Sequence, residues 1–254
     1  MHLIRTPLPR PGAVALAIGA ALAVACSSGG SARPRPTPFA AGSFDPRSVP
    51  TVATPSSQET AAARAAAGNA LQALAGASGG AVHLLDPAIL SGASVVDVLR
   101  VSAPAGIGAD QARMRLPALG WRWLVSWSAV EASAARYREW RVELFGFASA
   151  ANAGRYAAEP FLEPAPLLAA GKQPPPDGAA SDAALYRAAD AITPPLQAVT
   201  PAPGERGVLI WRRGRIVAAV SEAQTPAGLD LPRLAALSRS LDAGLLQVPG
   251  SLDQ

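Results

Sequence analysis

The sequence predicts an α+β domain, an antiparallel sheet packed with helices, made of two hairpin-helix units behind an N-terminal helix. Three observations carry the prediction. Residues 121–147 contain two runs in which apolar and polar side chains alternate with period two. Residues 207–220 contain a second pair of apolar runs around an arginine-rich turn. A stretch of helical spacing follows each pair, and another precedes both.

Glu59 to Ala75 opens the order of elements as a helix, in which Ala61, Ala62, Ala65, Ala66, Leu71 and Leu74 combine high propensity with a thin apolar stripe. Gly76, Gly79 and Gly80 end it. Ala81 to Leu85 and Val95 to Val101 read as strands, with turn signals at Asp86-Pro87 and Ser91-Gly92 and a loop at Pro104, Gly106 and Gly108. The clearest pair is Trp121 to Val130 with Tyr137 to Phe147. Trp121, Trp123, Val125, Trp127 and Ala129 are expected on one face, with Arg122, Ser126 and Ser128 on a solvated one. On the partner strand Trp140, Val142 and Leu144 oppose Glu139, Arg141 and Glu143, while Phe145 and Phe147 fall on the charged side. A bulge at Gly146 or a covering helix would account for them.

Ser149 is placed to cap a helix from Ala150 to about Ala158, which Pro160 ends. Residues 163–205, with Pro174, Pro175 and Pro176 in a row, read as a long irregular loop interrupted by a short helix from Ser181 to Ala191. The second hairpin pairs Gly207 to Trp211 with Ile216 to Val220, and Gly214 is free to take positive φ in its turn. Asp230 then caps a helix carrying Leu231, Leu234, Leu237, Leu241 and Leu245 at helical spacing. These elements bound a single domain over residues 58–248, with 249–254 as a tail. The arrangement resembles, at the level of fold alone, small exported α+β sandwiches such as the PsbP/Mog1-like folds.

Composition excludes several functions. A single Cys among 254 residues rules out intramolecular disulfides and cysteine-rich metal or iron–sulfur sites. His83 is the only His beyond residue 2, so no multi-histidine metal site is expected, and no cofactor. The formal charge is +4, and Arg5 and Arg10 at the extreme N-terminus supply two of it, which is too little for a nucleic-acid partner.

Residues 1–25 have the three-part build of a cleaved export signal: His2, Arg5 and Arg10, then an uncharged apolar run from Ala13 to Ala25. A spanning helix needs about 20 apolar residues, and this run is shorter. It ends Leu22-Ala23-Val24-Ala25-Cys26, with a small residue directly before the only Cys. In this the segment resembles the lipobox of bacterial lipoproteins. The resemblance implies cleavage before Cys26, a diacylglycerol on its sulfur and an acylated new N-terminus, so that the chain is held on the extracytoplasmic face of the membrane. Ala23 stands where that family most often has Leu, and an ordinary secretory signal cut nearby or an uncleaved anchor are the other readings. Residues 26–57 then read as a tether rich in Pro, Ser and Gly, able to hold the domain roughly 30 Å or more from the lipid.

Few residues suggest chemistry. His83 with Asp86 is read as a strand-end histidine rather than a base with its orienting carboxylate, because Gly-x-Ser-x-Gly is absent. Glu131, Glu139 and Glu143 on one hairpin read as a solvated charge ladder, with paired glycosidase carboxylates as the alternative. Trp121, Trp123 and Trp127 read as core, with a sugar-docking platform as the alternative. Arg212, Arg213 and Arg215 form the densest positive cluster and read as a solvated turn, with contact to an anionic headgroup or acidic ligand as the alternative. The expectation is a monomeric, non-catalytic binding or accessory protein of the cell envelope, whose partner is an envelope protein, a glycan or a small ligand. The alternatives are an envelope hydrolase acting on glycan or ester bonds, and a purely structural partner-binding module.

Overall fold

A computed structural model describes residues 57–79, 81–91, 109–132, 136–192 and 202–252. The expected strand at Val95 to Val101, the loop at 104–108 and Cys26 with its tether lie outside them. In chain order the elements are α1 (Ser57–Ala77), β1 (His83–Leu84), β2 (Ala88–Ser91), α2 (Ala109–Ala118), β3 (Trp121–Ala132), β4 (Tyr137–Phe147), α3 (Ala150–Ala158), α4 (Ala165–Ala170), β5 (Ala184–Ile192), β6 (Ala202–Arg213), β7 (Ile216–Thr225) and α5 (Leu231–Leu245).

The fold is α+β, as the alternation and helical spacing predict. Seven antiparallel strands form one sheet in the order β1-β3-β4-β7-β6-β5, and β2 also pairs β3. The two hairpins lie side by side, joined where β4 pairs β7 from Tyr137↔Thr225 to Gly146↔Ile216. Both faces of the sheet are covered. On the first, Trp123, Val125, Trp140, Leu144, Leu209, Trp211 and Val220 pack under α1 and α5. On the second, Leu124, Phe145, Phe147, Val208, Ile210 and Val217 pack under α2, α3 and the segment that includes Phe161, Leu162 and Leu167. The two hairpin-helix units therefore deliver their helices to opposite faces, so their likeness in sequence is not a repeat in space.

Local chemistry explains the helix ends and the close contacts. The Ser149 hydroxyl accepts from the Asn152 N–H at 3.2 Å, and the Asp230 carboxylate accepts from the Arg233 N–H at 3.1 Å. The alanine stripe of α1 lets α5 approach closely, since a Cβ added at Gly244 would lie 3.2 Å from the Cβ of Ala66. At the tip of the second hairpin Gly214 has φ +52°, and an added Cβ there would strike the Gly250 carbonyl. That carbonyl accepts from the Arg215 N–H at 3.0 Å, so packing continues past residue 248, and Ser251 is buried.

Three expectations change. Ser181 to Ala191 is not a helix: Ala184–Ile192 is a strand paired along β6, from Ala184↔Ile210 to Ile192↔Ala202. Its alanines favour a helix, but pairing sends Leu185 into one core and Tyr186 into the other, a burial that a lone surface helix lacks. The 163–205 loop is broken further by α4 and by the start of β6. The third change is on β3, where the register shifts between Trp121, opposite Phe147, and Trp123, opposite Gly146. Trp121 consequently joins the second core and Trp123 the first, although they are two residues apart. The face expected to be solvated instead buries Leu124 and Ser126, and the shift turns Arg122 inward as well.

Phe145 and Phe147, out of phase in the sequence, are covered by α3. Tyr156 stands 5.0 Å and 5.4 Å from their ring centroids and meets Phe161 edge-on at 5.3 Å.

Candidate functional site

The expected site residues separate in space. Trp123 is fully buried, its Nε1 donating to Glu59 Oε1 at 2.9 Å, and Gly146 opposite is tight enough that any Cβ would overlap the indole. Trp121 is also buried, on the other face. Trp127 alone of the three is half-exposed. His83 and Asp86 are both exposed, and among the described residues no hydrogen bond or ion pair joins them. Glu131, Glu139 and Glu143 do not converge. Glu131 lies 3.8 Å from Arg138 on the face of α1 and α5, whereas Glu139 and Glu143 face the other way.

Arg213 and Arg215 of the arginine cluster are engaged by partners inside the molecule rather than standing free at a solvated turn. Arg213 grips Asp242 of α5 with two bonds, 2.6 Å and 2.7 Å, and donates to Ser181. Arg215 reaches Glu59 at 3.4 Å, and Arg122 approaches the same carboxylate at 3.6 Å. Arg212 is exposed, with its guanidinium 3.2 Å from the Gly214 carbonyl. The cluster thus ties the hairpin tip to α1 and α5.

Two buried carboxyls escaped the sequence reading. Glu222 on β7 is fully buried. It takes Arg138 Nε at 2.9 Å and the Asp230 N–H on both oxygens, at 3.1 Å and 3.0 Å, so it holds the start of α5 against the sheet. Burial raises its pKa to about 7, against the opposing pull of the Asp230 N–H and Arg138. Its phase with Ala218 and Val220 was the available signal that it faces inward. Glu163 follows α3 and is 9% exposed. Burial, and then the charge of Glu143, raise its pKa to about 8, with Arg206 and Arg141 opposing. Nearby, burial would raise Glu139, but Arg141, Ser128 and Tyr137 outweigh it and hold the carboxyl below its ordinary range. Glu139 is therefore a structural ion-pair member: Arg141 lies 2.8 Å away and Ser128 at 3.2 Å.

Among the described residues an open groove of about 430 Å³ lies between α1 and the β2–β3 edge, lined in part by Thr60, Arg64, Asn69, Gln72, Ile89 and Trp127. Helical spacing builds one wall, because residues 60, 64, 68 and 72 recur at four-residue intervals along α1. The opposite wall comes from the strands. Trp127 Nε1 donates to the Leu85 carbonyl at 2.5 Å, which fixes the indole plane. Gly68 lets that indole lie against α1, since a Cβ there would fall 2.5 Å from the ring. Arg64 lies over the indole at 5.9 Å from the ring centroid, and no carboxylate lines the groove beside it. Ile89 is 41% exposed beside it. The walls thus offer one aromatic surface, one cation and several neutral hydrogen-bonding groups. Among the described residues no group of three or more His, Cys, Asp or Glu side chains is placed to hold a metal ion.

No family model matches the chain, and no curated protein matches it. Among solved structures, the extracellular domain of PknH from Mycobacterium tuberculosis aligns over 68% of this chain and 89% of its own, at 9% identity and a TM-score of 0.36. No helix among the described residues is long and apolar enough to cross a membrane.

Proposed function

We propose that this chain is a lipid-anchored, extracytoplasmic binding or accessory protein of the bacterial cell envelope that performs no chemistry of its own. The observation that carries the anchor is positional. The only Cys of the chain follows a small residue at the end of the apolar leader, where the lipoprotein resemblance requires the acylated residue, and a Pro, Ser and Gly-rich stretch separates it from the domain. Two or more acyl chains, at about 0.8 kcal/mol per buried methylene, hold such a protein firmly on the bilayer. The binding role is supported by the groove, whose walls supply stacking and hydrogen-bonding groups and no carboxylate, thiol or imidazole.

The test is metabolic labelling with an alkyne fatty acid followed by membrane fractionation. The native chain is expected to take the label and sediment with membranes, whereas Cys26→Ala takes none and is released. Retention and labelling of the Cys26→Ala chain would overturn the anchor.

A further inference from the structure

We propose that the groove between α1 and the β2–β3 edge binds a saccharide bearing a carboxylate, stacked on Trp127 and paired through its carboxylate to Arg64. The proposal rests on the reading of the protein as a binding protein and names the ligand class. Three features point to this chemistry. The Trp127 indole is part-exposed in the groove wall and held by its hydrogen bond to the Leu85 carbonyl, so the part it shows is a fixed apolar surface for the C–H face of a pyranose ring. Around it stand the amides of Asn69 and Gln72, both exposed, and the hydroxyl of Thr60, a donor and acceptor set suited to vicinal hydroxyls.

Charge decides between a neutral and an acidic sugar. Arg64 is exposed, its guanidinium lies over the Trp127 ring, and no carboxylate lines the groove. A guanidinium in that setting pairs with a carboxylate on the ligand without first breaking an internal ion pair. The space, about 430 Å³, falls within the usual range of small-ligand sites.

The experiment uses the full chain in detergent micelles, with binding read by calorimetry and tryptophan fluorescence. The probes are two matched pairs that differ in a carboxylate: N-acetylmuramic acid against N-acetylglucosamine, and glucuronic acid against glucose. At least one acid is expected to bind about ten-fold or more tighter than its neutral counterpart, the scale of a charge-assisted hydrogen bond. Arg64→Gln removes that preference and leaves the neutral affinity unchanged. Trp127→Ala weakens both members of the pair. Arg64→Gln alters only an exposed side chain, so the test stands even if Trp127→Ala fails to fold.

Failure of both acids to bind at millimolar concentration overturns the proposal, as does binding of neither acid more tightly than its neutral counterpart, or an acid preference that survives Arg64→Gln. A tetraglutamate peptide binding as tightly as the acids also overturns it, since charge alone would then suffice. The anchor is judged separately: loss of sugar binding with Cys26 still labelled strikes only this site, and unlabelled Cys26 with sugar binding intact strikes only the anchor.

Discussion

Glu163 makes the native protein depend on pH in a direction opposite to that of most ion-paired carboxylates, and replacing it with Gln exposes that dependence. Its pKa moves from 4.5 to about 8 on folding, because burial and the neighbouring Glu143 disfavour its charge. Between those values the native state holds a proton that the unfolded chain has released, so stability falls as pH rises. At about 1.4 kcal/mol per pH unit, the full interval corresponds to a ceiling of about 5 kcal/mol. Below pH 4.5 both states are protonated and nothing is lost; above pH 8 the whole penalty is present. Glu222 adds a fall of the same sign that ends near pH 7. The alkaline end of the fall therefore rests more on Glu163 than on Glu222.

Glu163→Gln keeps the shape and removes the ionisation, so it should be more stable than the native chain at pH 8 by about 2–4 kcal/mol, the ceiling being reduced by the buried amide's own need for partners. Near pH 4.5 the two should be close. Urea unfolding followed by tryptophan fluorescence, at fixed pH values from 4.5 to 8.5, measures this directly. An unchanged fall between pH 7 and 8 in the variant, or a variant less stable than the native chain at pH 8, would refute the reasoning.

Two further predictions concern the core. Trp123→Ala removes a fully buried indole and its bond to Glu59 and should cost about 3–5 kcal/mol in denaturant unfolding, whereas Trp127→Ala should cost clearly less. Comparable costs at the two positions would contradict the packing described. Glu59→Ala takes out a buried carboxylate shared by Trp123, Arg122 and Arg215, and a loss of about 3 kcal/mol is expected. A loss below about 0.5 kcal/mol, the scale of an ordinary surface change, would show that the cluster does not hold α1 to the hairpins.

Local rules made much of the domain legible from sequence. Period-two alternation marked the first hairpin, a pair of apolar runs around the turn at Gly214 marked the second, and the capping positions of Ser149 and Asp230 marked the starts of α3 and α5. These signals lie within a few residues of one another and depend on backbone geometry alone. The strand at Ala184–Ile192 was hidden because its alanines favour a helix, and only the β6 backbone, paired with it from Ala202 to Ile210, supplies the competing hydrogen bonds and burial.

Tertiary structure also decided the fates of the tryptophans and arginines. Nothing in the spacing of Trp121 and Trp123 announces that a register shift opposite Gly146 and Phe147 sends them to opposite faces. Arg213 and Arg215 look like a free basic cluster until α5 brings Asp242 and α1 brings Glu59 to meet them. Arg64 carried no signal in the sequence, and it became a candidate contact only because Gly68 lets Trp127 settle beside it. A sequence by itself determines which segments take which backbone form and which faces are apolar, since those are short-range properties. It does not determine which charges find partners or which aromatic stays open, because those depend on residues far apart in the chain that only the folded core brings within a few ångströms.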